Sequence, residues 1–185
     1  MLWLIAGLVL FLGVHVFSSL RSTRERLIAK LGEGPYKGLY SLLSLAGFGL
    51  IVAGMGKAPS IELWVPPAWG RNAAMWLMPF TLILLAAAFI PGNLKRFTAH
   101  PMLWAITLWA LVHLFANGDL AGLLLFGGFG LYALYAMRSQ TLRGVRPAQT
   151  RRSIAGDFGA IAAGLIAYAV LLKFHANLFG VAVSY

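Results

Sequence analysis

Apolar stretches of about 20 residues constrain this chain more than any other feature. At ~1.5 Å per residue, ~20 helical residues cross the ~30 Å hydrocarbon core of a bilayer. The predicted helices cover residues 1–20, 36–55, 71–90, 100–119, 120–137 and 157–179. Only 11% of residues are charged, against ~25% in soluble domains. The sequence predicts an all-α, polytopic membrane helical bundle with about six transmembrane helices, forming a single domain over residues 1–185.

Basic residues predict the orientation of this bundle. Twelve of the 15 Lys and Arg fall in the segments 21–37, 91–100 and 138–156. The positive-inside rule places these segments in the cytoplasm and both termini on the non-cytoplasmic side. The first apolar run precedes its basic residues, which is the reverse of a cleavable signal, so we expect a retained first helix. We expect a multi-pass protein of the bacterial inner membrane, with the lipid bilayer as its surroundings.

Composition also excludes several functional classes. The net charge of +10 is explained by membrane orientation, so we expect no nucleic-acid partner. The chain has no cysteine, which excludes disulfides, iron–sulfur clusters, Cys-ligated zinc and thiolate nucleophiles. A transporter is disfavoured because internal repeats and buried charges are not evident.

Prolines and small residues predict where helices bend, where they are interrupted and where they pack closely. Pro79 predicts a kink in the third span. Prolines and tryptophans in residues 56–70 predict a non-helical segment at a membrane interface. Small residues four apart occur at 118/122, 159/163 and 160/164. This spacing allows close helix contact, either inside one bundle or in a homo-oligomer.

Histidines are the polar residues that most need explanation inside the membrane. His15 shares a predicted helix face with Ser18, Ser19 and Ser22, so we expect that face to point into the bundle. It is either a ligand or a histidine bonded to a serine or a backbone carbonyl. His113 has Trp109 one turn before it and Asn117 one turn after it. That arrangement suits a cofactor ligand and ordinary packing equally.

The other two histidines lie nearer the predicted membrane boundaries. We expect His100, at the cytoplasmic boundary, to cap a helix or contact headgroups. His175 lies in the outer half of the bilayer, like His113, whereas His15 lies in the inner half. By depth alone, His113 and His175 are the easier pair to bring together.

Carboxylates are too few to form a catalytic or metal site of their own. We expect Asp119 and Asp157 to cap the helices that follow them. A zinc or di-iron site is not credible with so few ligands. Four histidines in a cysteine-free membrane bundle can instead hold haem b, since imidazoles ligate iron and apolar helices bury a porphyrin.

The sequence resembles the NnrU family of bacterial membrane proteins over nearly its whole length. The similarity lies in GLYSLLSL at 38–45, HPML at 100–103, LWALVHL at 108–114 and NGDL at 117–120. The resemblance implies a multi-pass protein connected with nitrite and nitric oxide reduction in denitrification. Respiratory nitrite or nitric oxide reductase components would then be its partners.

The chain is more distantly similar to 15-cis-zeta-carotene isomerase, a haem b enzyme with histidine ligands. That resemblance implies His15 and His113 as the metal ligands. The isomerase has a cysteine three residues before the second histidine, where this chain has Ala110. A ligand switch that uses this cysteine is therefore absent. The cofactor-binding candidates, in order, are His113, His15 and His175.

Three functional hypotheses follow from these observations. The first is a haem b protein that supports nitrogen-oxide respiration by redox chemistry or by sensing nitric oxide. The second is a non-catalytic membrane accessory or assembly factor for a reductase. The third, a haem-dependent isomerase of the zeta-carotene-isomerase type, is weaker because no residue pattern selects a polyene substrate. Whether the protein is an enzyme stays open at this point.

Overall fold

Seven α-helices and one 3-10 turn form the described part of the chain, residues 1–180 and 183, in a computed structural model. The 3-10 turn, Asn93–Arg96, lies between α4 and α5. The helices are α1 (Leu2–Ser19), α2 (Arg21–Leu31), α3 (Glu33–Gly56), α4 (Gly70–Phe89), α5 (Pro101–Ala116), α6 (Leu120–Leu142) and α7 (Ile154–Phe179). These elements confirm the predicted helical membrane bundle. The predicted tail after Phe179 lies mostly outside the described residues.

Six of these helices run between the two ends of the bundle. At one end, Arg143 donates from Nη1 to the Ser19 carbonyl at 3.0 Å, and the Ala148 amide donates to the Lys95 carbonyl at 3.0 Å. We call this the basic end, because the three basic segments meet there. At the opposite end, the Leu63 amide donates to the Gly118 carbonyl at 2.7 Å.

Five helices are long and apolar enough to cross a membrane: α1, α3, α4, α6 and α7. The sixth, α5, has 16 residues, or ~24 Å at 1.5 Å per residue, which is shorter than the ~30 Å core. It starts at the basic end beside Thr141 and finishes at the opposite end beside Gly118. The predicted sixth crossing is therefore a short helix that packs against α4 and α6.

The helices pack as a series of neighbours rather than around one axis. Contacts join α3 to α1, α1 to α6, α6 to α5, α5 to α4 and α4 to α7. The main core cluster includes Leu4 and Leu8 of α1, Ile51 of α3, and Leu125 and Phe126 of α6. This order places α5 between α4 and α6, with α7 on the far side of α4.

The first connection differs from the sequence prediction. The sequence predicts that Gly32, Gly34 and Pro35 break the segment before the second span, but α3 begins at Glu33 and includes Gly34 and Pro35. Pro35 is tolerated because amides in the first helical turn have no intrahelical acceptor. Of the three predicted residues, only Gly32 breaks the helix, and its φ of +83° favours glycine. Ser22 was wrongly placed on the His15 face, because it belongs to the separate helix α2.

The first turns of α6 and α7 show whether Asp119 and Asp157 cap these helices as predicted. Asp119 caps α6 as predicted, accepting a hydrogen bond from the Gly122 amide at 2.8 Å. Asp157 is not the cap of α7, which begins at Ile154 with Ser153 as its cap. Asp157 instead accepts from the Asn93 side chain at 2.7 Å and from the Leu94 amide at 3.1 Å. It thus fixes the α4–α5 connection to the first turn of α7.

The segment 57–69 is non-helical, as its prolines predict. Residues 61–64 lie against the α5–α6 turn, where the Leu120 amide donates to the Ile61 carbonyl at 2.8 Å. A side chain on Gly118 would collide with the Trp64 carbonyl. The glycine therefore allows this segment to close over the turn.

Candidate cofactor site

A cavity of about 400 Å³ opens between α4, α5 and α7, with Phe129 of α6 contributing to its wall. This volume falls within the ~300–1,000 Å³ range of small-molecule sites. Most of the wall is apolar, and a few polar groups interrupt it, as is usual for such sites. The polar residues in the wall are Arg71, Thr81, His113, Asn117, Tyr168 and His175.

His113 lies in the last turn of α5, and its tautomer follows from its hydrogen bond. Its Nδ1 is 2.8 Å from the Trp109 carbonyl oxygen. Because a carbonyl only accepts, Nδ1 carries the proton and Nε2 of the neutral ring keeps its lone pair. A backbone carbonyl on one imidazole nitrogen is the usual support for a histidine whose other nitrogen binds a metal. Asn117 donates to the His113 carbonyl at 2.8 Å and holds the helix end.

Aromatic rings fix the plane of the His113 imidazole. The Phe126 ring stacks on it with centroids 4.7 Å apart and an interplanar angle of 29°. Trp109 lies 5.4 Å away in a tilted arrangement. These contacts restrict ring rotation, so the position of Nε2 is set before any ligand arrives.

His175 reaches the same cavity from α7. Its ring lies 5.0 Å from that of Phe179, and it is close enough to His113 to interact with it electrostatically. The depth argument from the sequence paired these two histidines, and the structure places both in one cavity wall. Their role as ligands stays a prediction.

His15 lies outside this cavity wall. Its Nδ1 is 2.7 Å from the Phe11 carbonyl oxygen, so its Nε2 also keeps a lone pair. Its ring stacks on Phe11 at 4.2 Å and lies near the rings of Tyr40 and Tyr132, at 5.3 and 5.9 Å. His15 thus has the hydrogen-bond pattern of a ligand but belongs to a different part of the bundle.

An aromatic layer lies between His15 and His113. Phe11 contacts Phe129 at 5.4 Å between centroids, and Phe129 contacts Trp109 at 5.6 Å. Trp109 in turn contacts His113. A porphyrin ligated by both histidines would require these rings to move apart.

His100 is buried, with 7% of its surface exposed. It occupies the N-cap position of α5, but its side chain makes no capping bond. Its Nε2 instead lies 2.9 Å from Thr141 Oγ1 of α6. The expected capping or headgroup role is therefore wrong, because the side chain joins α5 to α6.

Sequence reasoning missed the other polar groups of the cavity. In the sequence, Tyr168 is a single polar residue within an apolar stretch. Arg71 resembles an ordinary cation at a membrane interface. Within residues 1–180 and 183, no group of three His, Asp or Glu side chains could hold a metal ion.

Comparisons with known proteins identify the family of this chain. The model of the family described as NnrU protein matches residues 3–183. No curated protein and no solved structure matches the chain. The family match covers nearly the whole chain and is consistent with its apolar helices. The chain therefore belongs to the NnrU family.

Proposed function

We propose that this NnrU family protein binds haem b in the cavity between α4, α5 and α7, with His113 as the principal iron ligand. The observation that carries the proposal is the presence of two imidazoles, His113 and His175, in the wall of one largely apolar cavity. Imidazole is a common axial ligand of haem iron, and an apolar wall suits the porphyrin.

The cavity residues fit the chemistry of haem. His113 offers a preoriented Nε2, held by the Trp109 carbonyl and by the Phe126 ring. Arg71, in the first turn of α4, gives the wall a cation for the two carboxylates of haem. Bound haem would supply reversible one-electron chemistry and could bind a small gas such as nitric oxide.

The identity of the second ligand separates two arrangements. Shared cavity lining favours His175, whereas resemblance to the isomerase favours His15. In the first arrangement, the aromatic layer of Phe11, Phe129 and Trp109 stays in place and covers one side of the site. In the second, those rings separate to admit the porphyrin. We rank His175 above His15 because His175 lines the same cavity as His113, whereas His15 lies outside that wall.

We infer that the biological role is support of nitrite or nitric oxide reduction in the bacterial inner membrane. The membrane-spanning fold and the family match support this role, and a haem can transfer electrons or bind nitric oxide. Reductase components are the partners that such a role implies.

Absorbance spectroscopy tests the haem proposal. The protein is expressed in a haem-supplied host, purified in detergent and measured oxidised and reduced. We expect a Soret band that shifts on reduction and is lost in His113→Ala. His100→Ala is the control, because His100 lies away from the cavity. A well-folded, colourless wild-type protein would contradict the proposal.

Two further variants assign the second ligand. We expect the oxidised wild-type protein to have a six-coordinate low-spin spectrum. His175→Ala should change this spectrum, whereas His15→Ala should leave it unchanged. The reverse pattern would establish the pair implied by the resemblance. Size-exclusion chromatography of each variant shows whether the bundle has remained folded.

A non-catalytic accessory role is the second candidate, and the segment 57–69 favours it. This segment is tied to the α5–α6 turn through Leu63 and Gly118. It nevertheless presents Val65 with 89% of its surface exposed. Nitrite-dependent growth that survives the double replacement of His113 and His15 by alanine, but not Val65→Asp, would support this role over haem binding.

A further inference from the structure

A second concavity lies far from His113, on the opposite side of the bundle between α1, α2 and α3. Its volume is about 580 Å³, and its wall is almost wholly apolar. On α1 the lining residues run from Ala6 to Phe17 along one face, and on α3 they run from Tyr36 to Leu43. Leu27 of α2 closes the groove at the basic end.

The length of this groove matches one leaflet. Eleven residue steps from Ala6 to Phe17 correspond to ~16 Å of helix, about half of the ~30 Å hydrocarbon core. The floor is open at Gly13, where an added Cβ would meet nothing within 4 Å. A groove of this length and polarity fits an acyl chain that enters from the basic end.

Basic side chains of α2 lie at the end of the groove where the headgroup of such a lipid would lie. Helix α2 carries Arg21, Arg24, Arg26 and Lys30 against a single carboxylate, Glu25. Arg21 pairs with that carboxylate at 3.8 Å. The Arg24 guanidinium lies 5.9 Å from the centroid of the Tyr36 ring, which itself lines the groove.

Nearby carboxylates do not neutralise Arg24. Glu33 is close enough to interact with it electrostatically, but Glu33 forms its ion pair with Lys37, at 2.7 Å. Within the described chain, Arg24 makes no ion pair with a carboxylate. A cation beside an apolar groove at the membrane boundary favours an anionic ligand over a zwitterionic one.

The hydroxyl of Tyr36 provides an independent sign of a missing partner. Tyr36 is only 7% exposed, and its hydroxyl has no hydrogen-bond partner among residues 1–180 and 183. An unpaired buried hydroxyl is unfavourable. Because this hydroxyl is enclosed by the protein, only a movement of the Tyr36 ring would let a phosphate or ester oxygen accept its hydrogen bond.

We propose that the groove between α1, α2 and α3 is a specific site for an anionic phospholipid, with one acyl chain between Ala6 and Phe17 and its phosphate beside Arg24 and Tyr36. The site is separate from the haem cavity, so either can exist without the other. The Arg24 guanidinium donates to the phosphate, and the apolar walls of α1 and α3 enclose the chain.

Native mass spectrometry of the full, delipidated protein in mild detergent tests this site. The probes are palmitoyl-oleoyl phosphatidylglycerol and the phosphatidylcholine with the same chains. We expect the first adduct of phosphatidylglycerol to form with about tenfold higher affinity, because a charge-assisted hydrogen bond is formed with the anionic headgroup. Equal affinity for the two lipids would overturn the proposal.

Matched variants separate the site from general charge and lipid contact. Arg24→Gln should lose most of the preference, whereas Arg26→Gln removes the same charge from an exposed position of α2 and should keep it. Gly13→Leu fills the groove and should weaken the first adduct of both lipids. Gly49→Leu is its control, since Gly49 also has open space around it but lies outside the groove.

Each remaining outcome decides against the proposal. Equal losses in Arg24→Gln and Arg26→Gln would mean attraction by bulk charge alone. A dimer mass that disappears in Gly13→Leu, with lipid binding unchanged, would mean that a second copy of the chain covers the groove.

Discussion

At the scale of single residues, Pro79 shows how this bundle satisfies its backbone inside the membrane. Proline has no N–H, so the carbonyl four residues earlier, that of Met75, loses its helical donor. The Tyr168 hydroxyl of α7 donates to this carbonyl at 3.0 Å. A neighbouring helix thus replaces the missing bond, which lipid cannot do. The helix α4 continues from Gly70 to Phe89 with Pro79 inside it.

Tyr168→Phe should lower the free energy of unfolding by about 0.5–1.5 kcal/mol, the usual net value of one hydrogen bond. The phenyl ring preserves packing, so the change reports the hydroxyl alone. Thermal or denaturant unfolding in detergent measures the difference. The haem spectrum, if present, should change little, because phenylalanine keeps the shape of the cavity wall.

Pro79→Ala is the second substitution of a double-mutant cycle with Tyr168→Phe. Alanine restores an N–H that can bond to the Met75 carbonyl, so Tyr168→Phe should cost less in that background. The two substitutions should therefore be coupled rather than additive. The same cost of Tyr168→Phe in both backgrounds would show that the hydroxyl does not serve this carbonyl.

Asp119 is a residue whose role the sequence predicts correctly. Its side chain caps α6 through the Gly122 amide, so Asp119→Ala should lower the free energy of unfolding by about 1 kcal/mol. Asparagine caps almost as well, and Asp119→Asn should recover most of the loss. Melting temperatures of the three proteins in one detergent provide the comparison. Equal losses for alanine and asparagine would argue against capping.

Local interactions explain which residue roles could be predicted. The acceptor and donor of the Asp119 cap are three residues apart, so the sequence contains the whole interaction. Asp157 meets Asn93, 64 positions away, and a sequence pattern alone cannot place those two side chains together. Similarly, Pro79 indicates a carbonyl without a donor, but only the packing of α7 on α4 identifies Tyr168.

At the scale of helices, glycines allow a close contact between α1 and α3. It depends on Gly7 of α1 and on Gly47 and Gly54 of α3. A Cβ on Gly54 would collide with the Leu4 backbone, and one on Gly7 would lie 2.6 Å from the Ile51 amide nitrogen. Close approach of this kind gains packing energy where lipid offers little hydrophobic driving force.

Gly54→Ala should separate α1 from α3 and destabilise the bundle by about 1–3 kcal/mol, the usual cost of overpacking. Gly49→Ala is the matched control in the same helix, because Gly49 has open space around it. Because alanine has a higher helix propensity than glycine, Gly49→Ala should leave the free energy of unfolding unchanged or raise it by up to about 1 kcal/mol. The unfolding midpoint should therefore fall in Gly54→Ala but not in Gly49→Ala, and a similar fall in both variants would contradict the proposed contact.

Helix existence was easier to predict than helix partners. Apolar length predicted six helices, and the fifth was the least secure because Gly127, Gly128 and Gly130 weaken a helix, yet α6 runs from Leu120 to Leu142. Two of them are used for packing: a Cβ on Gly128 would lie 3.3 Å from Leu12, and one on Gly130 would lie 3.2 Å from Ala110. The small-residue pairs found in the sequence did not include the α1–α3 contact, because that contact depends on the register of two separate helices.

The same limit applies to the candidate site. All three histidine candidates came from the sequence, since an imidazole in an apolar span is conspicuous. Their pairing depends on which helices are neighbours: α5 packs on α4, and α4 packs on α7. This order brings His113 and His175 to one cavity and leaves His15 behind Phe11 and Phe129. Sequence depth alone indicated the pair, but it could not show the aromatic layer.

At the scale of the whole molecule, the two proposed sites lie towards opposite ends. His113 lies in the last turn of α5 and His175 lies just before the last turn of α7, near the end closed by residues 61–64. Arg24 and Tyr36 lie at the basic end. If the positive-inside rule holds, the proposed haem cavity is reached from the non-cytoplasmic side, and the proposed phospholipid site faces the cytoplasmic leaflet.

The absence of native cysteine allows a direct test of this orientation. Single cysteines at Val65 and at Thr150 report opposite ends, because Val65 is 89% exposed beside the α5–α6 turn and Thr150 is exposed in the basic loop after α6. The charge asymmetry predicts that a membrane-impermeant maleimide labels Val65→Cys in cells with a permeabilised outer membrane. Thr150→Cys should be labelled only after the inner membrane is opened. The reverse pattern would place the termini in the cytoplasm and would assign each of the two sites to the opposite leaflet. Labelling of both cysteines before lysis would show a mixed orientation. The distribution of 12 basic residues against 3 should prevent such a mixture.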